Sequence, residues 1–287
     1  MEKIGNQKIW SYFERSSKSR PVANTTIRGG SGHTVRSYFD LARKVAELQF
    51  RNREHVLLFR GQDKDYRTTK GNSMLKAAMF RLNGHKRLGP KILATRFSRL
   101  RMAENELVRL YQRDKHLDLD RLKRNRILRW AILQHYEVCA TPLLDVTHSL
   151  RIAASFASLG SAGEAYVFVL GVPNLSGAVT ASSEANLQIV RLSSACPPSA
   201  IRPHIQEGYL LGEYPEIADI EQNAHYRYYE MDFGRRLVAK FRLDLPDFWT
   251  SKNYPRASEQ ALYPGDHRDP LLNLAANLRA ILGPVEA

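Results

Sequence analysis

Apolar residues along this 287-residue chain fall into two rhythms, helical in the front half and strand-like behind it. From Thr34, the positions Val35, Phe39, Ala42, Val45, Ala46 and Leu48 recur at helical spacing and predict one amphipathic helix with Thr34 as its N-cap. His55 to Phe59 reads as a short buried strand ending at Arg60, after which Gly61 permits a tight departure. Residues 90–113 and 119–138 predict two long helices, with Ile92, Phe97, Leu100, Leu122, Ile127, Leu128 and Trp130 on their buried faces. Leu143–Thr147 is the next expected strand, and Ser149 caps a short helix through Ser158. Ala165–Leu170 and Leu187–Leu192 read as buried strands, Ile201–Leu211 and Arg235–Leu243 as further strand segments, and Leu271–Leu282 as an amphipathic helix. Helices in front and a mixed, mainly antiparallel sheet behind predict the α+β class.

Residues 15–33 are rich in Ser, Arg and Gly, so residues 1–33 are expected as a flexible polar leader before one domain over 34–287, with a helical insertion near 72–138. At 43% hydrophobic and 25% charged residues the chain reads as globular, and no apolar run approaches a membrane span. The start, Met1 to Asn6, lacks the apolar core of a signal peptide, which points to the cytoplasm. Cys139 and Cys196 are the two cysteines; both are expected reduced, and a cysteine zinc site is excluded.

Charge changes the picture more than composition does. Forty-three Lys and Arg against 29 acidic residues give a net charge of +14, with a pI of about 9.9. Such an excess favours polyanionic partners, nucleic acid first. Much of it lies on the two predicted helices, where Arg96, Arg99, Arg124, Arg126 and Arg129 are candidates for a groove that takes single-stranded nucleic acid. The plainer alternative is a solvated basic face. No P-loop, dinucleotide fingerprint or serine-hydrolase elbow is present.

Several ordered blocks resemble the FRG domain family, named for a Phe-Arg-Gly strand end. Phe59-Arg60-Gly61-Gln62 matches that signature, and Gln134-His135-Tyr136 followed by Thr141-Pro142-Leu143-Leu144-Asp145-Val146-Thr147 matches its second block. The helix Leu150–Ala157, the Gln206-Glu207-Gly208-Tyr209 run and Leu262-Tyr263-Pro264 extend the likeness over roughly residues 34–282. Glu137, Val138, Ala140 and Val146 depart from the usual pattern.

The family's order of elements resembles the ADP-ribosyltransferase fold, and the resemblance implies a set of roles. Arg60 would hold NAD and act in catalysis, with Gly61, Gln62, Thr147 and Tyr136 also at the dinucleotide. Asp145 and His135 would assist the chemistry, and one of Gln206 and Glu207, which alternate on a late strand, would act on the ribose. Each has a bland reading as well: Arg60 paired with Asp63 or Asp145, Asp145 in a turn near Ser149, His135 and Tyr136 as packed core residues. NAD is the expected substrate, with no metal expected. The implied protein is a transferase that modifies nucleic acid, RNA before DNA, of the toxin or anti-phage kind and neutralised by an antitoxin partner. Tyr209, Tyr226, Tyr228 and Tyr229 are candidates to stack unpaired bases. The alternatives are a non-catalytic nucleic-acid-binding module and, with Asp63, Asp65, Asp145 and Glu207, a metal-dependent nuclease.

Overall fold

The computed structural model describes residues 4, 7–82, 88–227, 230–251, 253–265 and 269–284. In chain order the elements begin with β1 (Lys8–Ser11), β2 (Arg20–Ala23), α1 (Asn24–Gly29), β3 (His33–Val35), α2 (Tyr38–Arg51) and β4 (Val56–Gln62). Then come α3 (Pro90–Arg113), α4 (Leu119–Arg124), α5 (Arg126–His135), β5 (Leu144–Thr147), α6 (Leu150–Ala157) and β6 (Glu164–Val172). Next are β7 (Val179–Ser182), β8 (Leu187–Arg191), α7 (Leu192–Ala195), α8 (Arg202–Ile205), β9 (Gly208–Gly212) and α9 (Ile220–Ala224). The order closes with β10 (Leu237–Asp244), α10 (Leu245–Phe248), α11 (Glu259–Leu262) and α12 (Pro270–Leu282). Helices beside mixed strand pairing make this an α+β protein.

Two compact units share the chain, each assembled from three separated segments. The first takes residues 1–75, 146–175 and 232–263; the second takes 76–145, 176–231 and 264–287. Most of the expected helical insertion thus falls in the second unit.

In the first unit β3 runs parallel to β10, while β10–β6 and β6–β4 are antiparallel and Phe59 of β4 pairs with Thr147 of β5. Side chains alternate across these strands, so one face is wholly apolar. Leu57, Phe59, Val167, Val169, Ala239, Phe241 and Leu243 line it, packed with Leu41, Val45 and Leu48 of α2 and Ala153, Ala154 and Ala157 of α6. Thr34 does not cap α2: it sits in β3 opposite Arg242, and Ser37 accepts from the Asp40 amide as the actual N-cap.

The expected leader corrects itself in the same way. Residues 8–11 and 20–23 form a hairpin whose Trp10 exchanges two hydrogen bonds, each 3.0 Å, with the Asn52 side chain. Tyr12 and Ser19 both donate to the Glu47 carboxylate on α2. Burial of Ile9 and Tyr12 in the first core gives these polar residues a reason to be ordered.

The second unit has its own core, built from Leu93, Phe97, Leu100 and Leu107 of α3, Trp130 and Leu133 of α5, and Leu271, Leu274 and Leu278 of α12. Beside it β7, β8 and β9 pair antiparallel. The single helix expected over 119–138 is two, interrupted at Asn125. There Arg129 donates to the carbonyls of Leu122 and Lys123 at 2.9 and 2.8 Å, satisfying the end of α4 that a continuous helix would have paired internally.

Candidate functional site

The candidate residues of the first unit start on β4. The strand does not end at Arg60 but continues through Gln62, so Gly61 is a strand residue and not a turn. Its lack of a side chain has a packing cause: a Cβ there would lie 1.8 Å from the Ala153 carbonyl oxygen and 2.7 Å from the Ala157 amide nitrogen. Gly61 is what lets α6 lie directly on β4. Arg60 and Gln62 project from the opposite side, half-buried, across from Phe168 and Tyr166 of β6. Thr147 is buried, and its hydroxyl accepts from the Ser149 amide at 3.0 Å, forming the turn into α6. Thr147 thus makes a turn contact at Ser149 of the kind considered for Asp145.

Lys240 and Arg242 of β10 stand on the same face, with Lys240 opposite Phe168 and Arg242 opposite Tyr166. Lys240 is fully buried. Its ammonium reaches the Gly30 carbonyl at 2.5 Å, Ser73 Oγ at 2.7 Å and Asp65 Oδ2 at 2.8 Å. Arg67 holds the same Asp65 oxygen at 2.7 Å. Nearby, Arg28 pairs with Asp232 at 2.6 Å and donates to the Ser73 carbonyl. Burial pulls the Lys240 ammonium below its ordinary value, against the contrary pull of Asp65. Sequence reasoning missed this network, although the alternation Lys240-Phe241-Arg242-Leu243 marks a strand with one charged face.

In the second unit the end of α5 carries His135, which is 3% exposed. Its Nδ1 lies 3.9 Å from Asp145 Oδ1. Burial holds the imidazole below its ordinary pKa, opposed by Asp145, so it is neutral near pH 7. Gln134 links the pair to the loop before β5: its Nε2 donates to Asp145 Oδ2 at 2.6 Å while its Oε1 accepts from Thr141 at 2.6 Å. Gly208, at the start of β9, faces the same imidazole, and a Cβ there would sit 3.6 Å from His135 Cε1.

Tyr136 takes the core role. It is 1% exposed and its hydroxyl donates to Asp269, whose Oδ2 also accepts the Ile201 and Arg202 amides at 3.0 Å. That carboxylate caps α12 as well, through the Leu271 amide. Gln206 and Glu207 do not alternate on a strand, because residues 202–205 are helical and Gln206 caps that turn. Glu207 then takes a left-handed φ of 45° before β9 begins at Gly208. Gln206 is buried and Glu207 is exposed. Burial also raises both free thiols, Cys139 to about 12.

The basic candidates divide sharply. Arg96 donates to the Met79 and Arg81 carbonyls at 2.8 and 2.7 Å. Arg99 closes the end of α12 through Leu282 and Gly283 at 2.9 and 2.6 Å. Arg129 bonds Glu104 at 3.0 Å in addition to the end of α4. These three are internal struts, whereas Arg124 and Arg126 are exposed. Tyr226 donates to the Pro215 carbonyl and Tyr209 is half-buried; Tyr228 and Tyr229 lie outside the described residues. Among the described residues no three His, Cys, Asp or Glu side chains gather as a metal-holding group, and no helix is long and apolar enough to cross a membrane.

The stretch that holds Arg60, His135, Asp145, Thr147 and the helix packed on Gly61 is the part that matches a known family. Residues 55–164 match the FRG domain. No curated protein and no solved structure matches the chain. The FRG match begins at the buried His55 ahead of β4 and closes at Glu164, the first residue of β6. The FRG segment therefore runs through both compact units, crossing at residues 75–76 and 145–146. In its first-unit portion the Phe-Arg-Gly signature has a divided logic: Phe59 and Gly61 serve the apolar face, and Arg60 serves the other.

Proposed function

We propose that the chain is an ADP-ribosyltransferase-like enzyme that uses NAD as substrate and single-stranded nucleic acid, RNA before DNA, as acceptor. The supporting observation is the β4–β5–α6 arrangement of the first unit. The Phe59–Thr147 pairing puts Thr147 on the strand beside β4, on the Phe59 face with Arg60 on the other, and α6 follows Thr147 after one turn. An arginine fork at such a place suits a diphosphate or ribose, through paired donors of fixed geometry. In the reaction the nicotinamide–ribose bond breaks, nicotinamide leaves neutral, and the cationic sugar carbon bonds an acceptor oxygen or nitrogen that loses its proton. Orientation of NAD is the contribution assigned to Arg60.

The acceptor class follows from the net charge of +14 and from the exposed cations Lys91, Arg101, Lys123, Arg124 and Arg126. A cytoplasmic toxin or anti-phage effector held in check by an antitoxin protein is the biological setting proposed with it.

The test is incubation with NAD carrying a label on its adenylate half, alone and with RNA, DNA or protein, while nicotinamide release is quantified. Label on RNA, lost by about 100-fold in Arg60→Ala, is the expected result. Salt-sensitive RNA retention with no nicotinamide release from any mixture would replace the enzyme with a non-catalytic binding module.

A further inference from the structure

Beyond the anchoring arginine, the polar face of the first unit's sheet surrounds Gln62, until now placed only generally at the dinucleotide, with Tyr166 and Arg242, to which no role has been given. Gln62, Tyr166, Arg242 and Thr34 form one row across β4, β6, β10 and β3, and Arg60, Phe168 and Lys240 form the next. Tyr166 is half-buried and stacked on Phe168, with ring centroids 6.2 Å apart and planes 23° apart. Arg242 is tethered to one side, donating to Thr34 Oγ1 at 2.9 Å and lying 3.3 Å from Glu164. Phe168 and Lys240 are covered, which leaves the Tyr166 ring as the aromatic surface of this face that still meets solvent.

Two buried acceptors belong to the same face. Among the described residues no donor reaches Gln62 Oε1, and none reaches Asp65 Oδ1, although Asp65 Oδ2 is held by both Lys240 and Arg67. Buried oxygens in this condition call for an N–H or O–H partner. A flat ring that carries such a donor at its edge answers both features at once, stacking on the tyrosine while its edge meets the glutamine amide. A primary carboxamide or the amino edge of a purine pairs with a glutamine side chain through two bonds, one in each direction.

We propose that Tyr166 and Gln62 form a subsite for a planar nitrogen heterocycle with an amide or amino edge. The inference rests on the NAD reading and deepens it, since both ends of NAD have this chemistry. Arg60 lies two residues before Gln62 on the same strand face, roughly 7 Å away along the strand, a spacing that suits a ribose or phosphate joined to the ring.

Saturation-transfer NMR on the full chain, with free nicotinamide and free adenosine as separate probes, tests it without any demand on turnover. One probe binds saturably to the native protein, and which one names the end of NAD that is read. Gln62→Met and Tyr166→Leu each weaken that binding about tenfold, the loss of one good contact. Tyr166→Phe, which keeps the ring, changes it less than about twofold. Melting curves establish that each variant is folded. Absence of saturable binding by either probe, or binding indifferent to both Gln62→Met and Tyr166→Leu, overturns the subsite. Ring binding without nicotinamide release from NAD upholds the subsite and refutes the transferase. Nicotinamide release whose KM ignores Gln62→Met does the reverse.

Discussion

The two faces of the first unit's sheet are made by the same strands and obey different rules. One face is Leu57, Phe59, Val167, Val169, Ala239 and Phe241, sealed by α2 and α6. The other, one residue out of step, is Arg60, Gln62, Tyr166, Phe168, Lys240 and Arg242. The apolar face is held by close approach, to the point that Gly61 has no room for a methyl group. The polar face is held by charge: Lys240 and Asp65 are both buried, and each is costly without the other. Apolar packing and charged contacts are thus separated by strand parity, which explains why alternate residues of one short motif differ so much in kind.

Substitutions can break that contrast. Gly61→Ala is expected to have the largest effect, about 5 kcal/mol or failure to fold, because the atom it meets is backbone of α6 and cannot rotate away. Chemical denaturation measures it. Phe241→Ala, in the centre of the apolar face, follows at about 4 kcal/mol by the same measurement. Lys240→Met lowers stability by about 3 kcal/mol, and its partner change Asp65→Asn in the same chain recovers part of that loss. If Lys240→Met alone proved neutral, the polar face would be held by something other than its ions. Tyr166→Phe should shift stability by less than about 0.5 kcal/mol, because it keeps the ring and its stacking on Phe168.

The weakest effect is one of pH, on the cover of the apolar face. Hydrogen bonds from Ser19 first and Tyr12 second hold the Glu47 carboxyl below its ordinary value of 4.5. Its folded pKa is depressed, so the tie between α2 and the β1–β2 hairpin is complete above pH 4.5 and is lost as pH falls through the lower folded value. Amide exchange of residues 8–11 and 20–23 should quicken in that acid window while β6 and β10 stay protected. Glu47→Gln should abolish the acid dependence.

Much of this was legible from the chain alone. Helical spacing placed α3 over residues 90–113, where the structure has it. The apolar run before Arg60 announced β4, and the segment from Leu143 to Thr147 announced β5, which begins one residue later. What failed were inferences about partners. Arg96, Arg99 and Arg129 looked like a charged surface, yet their donors close carbonyls that helix ends leave open elsewhere in the second unit. Tyr136 could not be told from a ligand-stacking residue until Asp269, over a hundred positions away, was seen beneath its hydroxyl.

Periodicity, composition and a net charge of +14 are written in the chain itself, and with them the longest helices and most of the central strands and their apolar faces. These follow from local geometry, because 3.6- and 2-residue repeats are properties of neighbouring positions. Tertiary structure alone decided which arginines face inward, that Gly61 marks a helix contact and not a turn, and that Gln62, Tyr166 and Arg242 share a row. Those are facts about segments brought together across long separations, where desolvation and hydrogen-bond satisfaction act between residues that no local pattern connects.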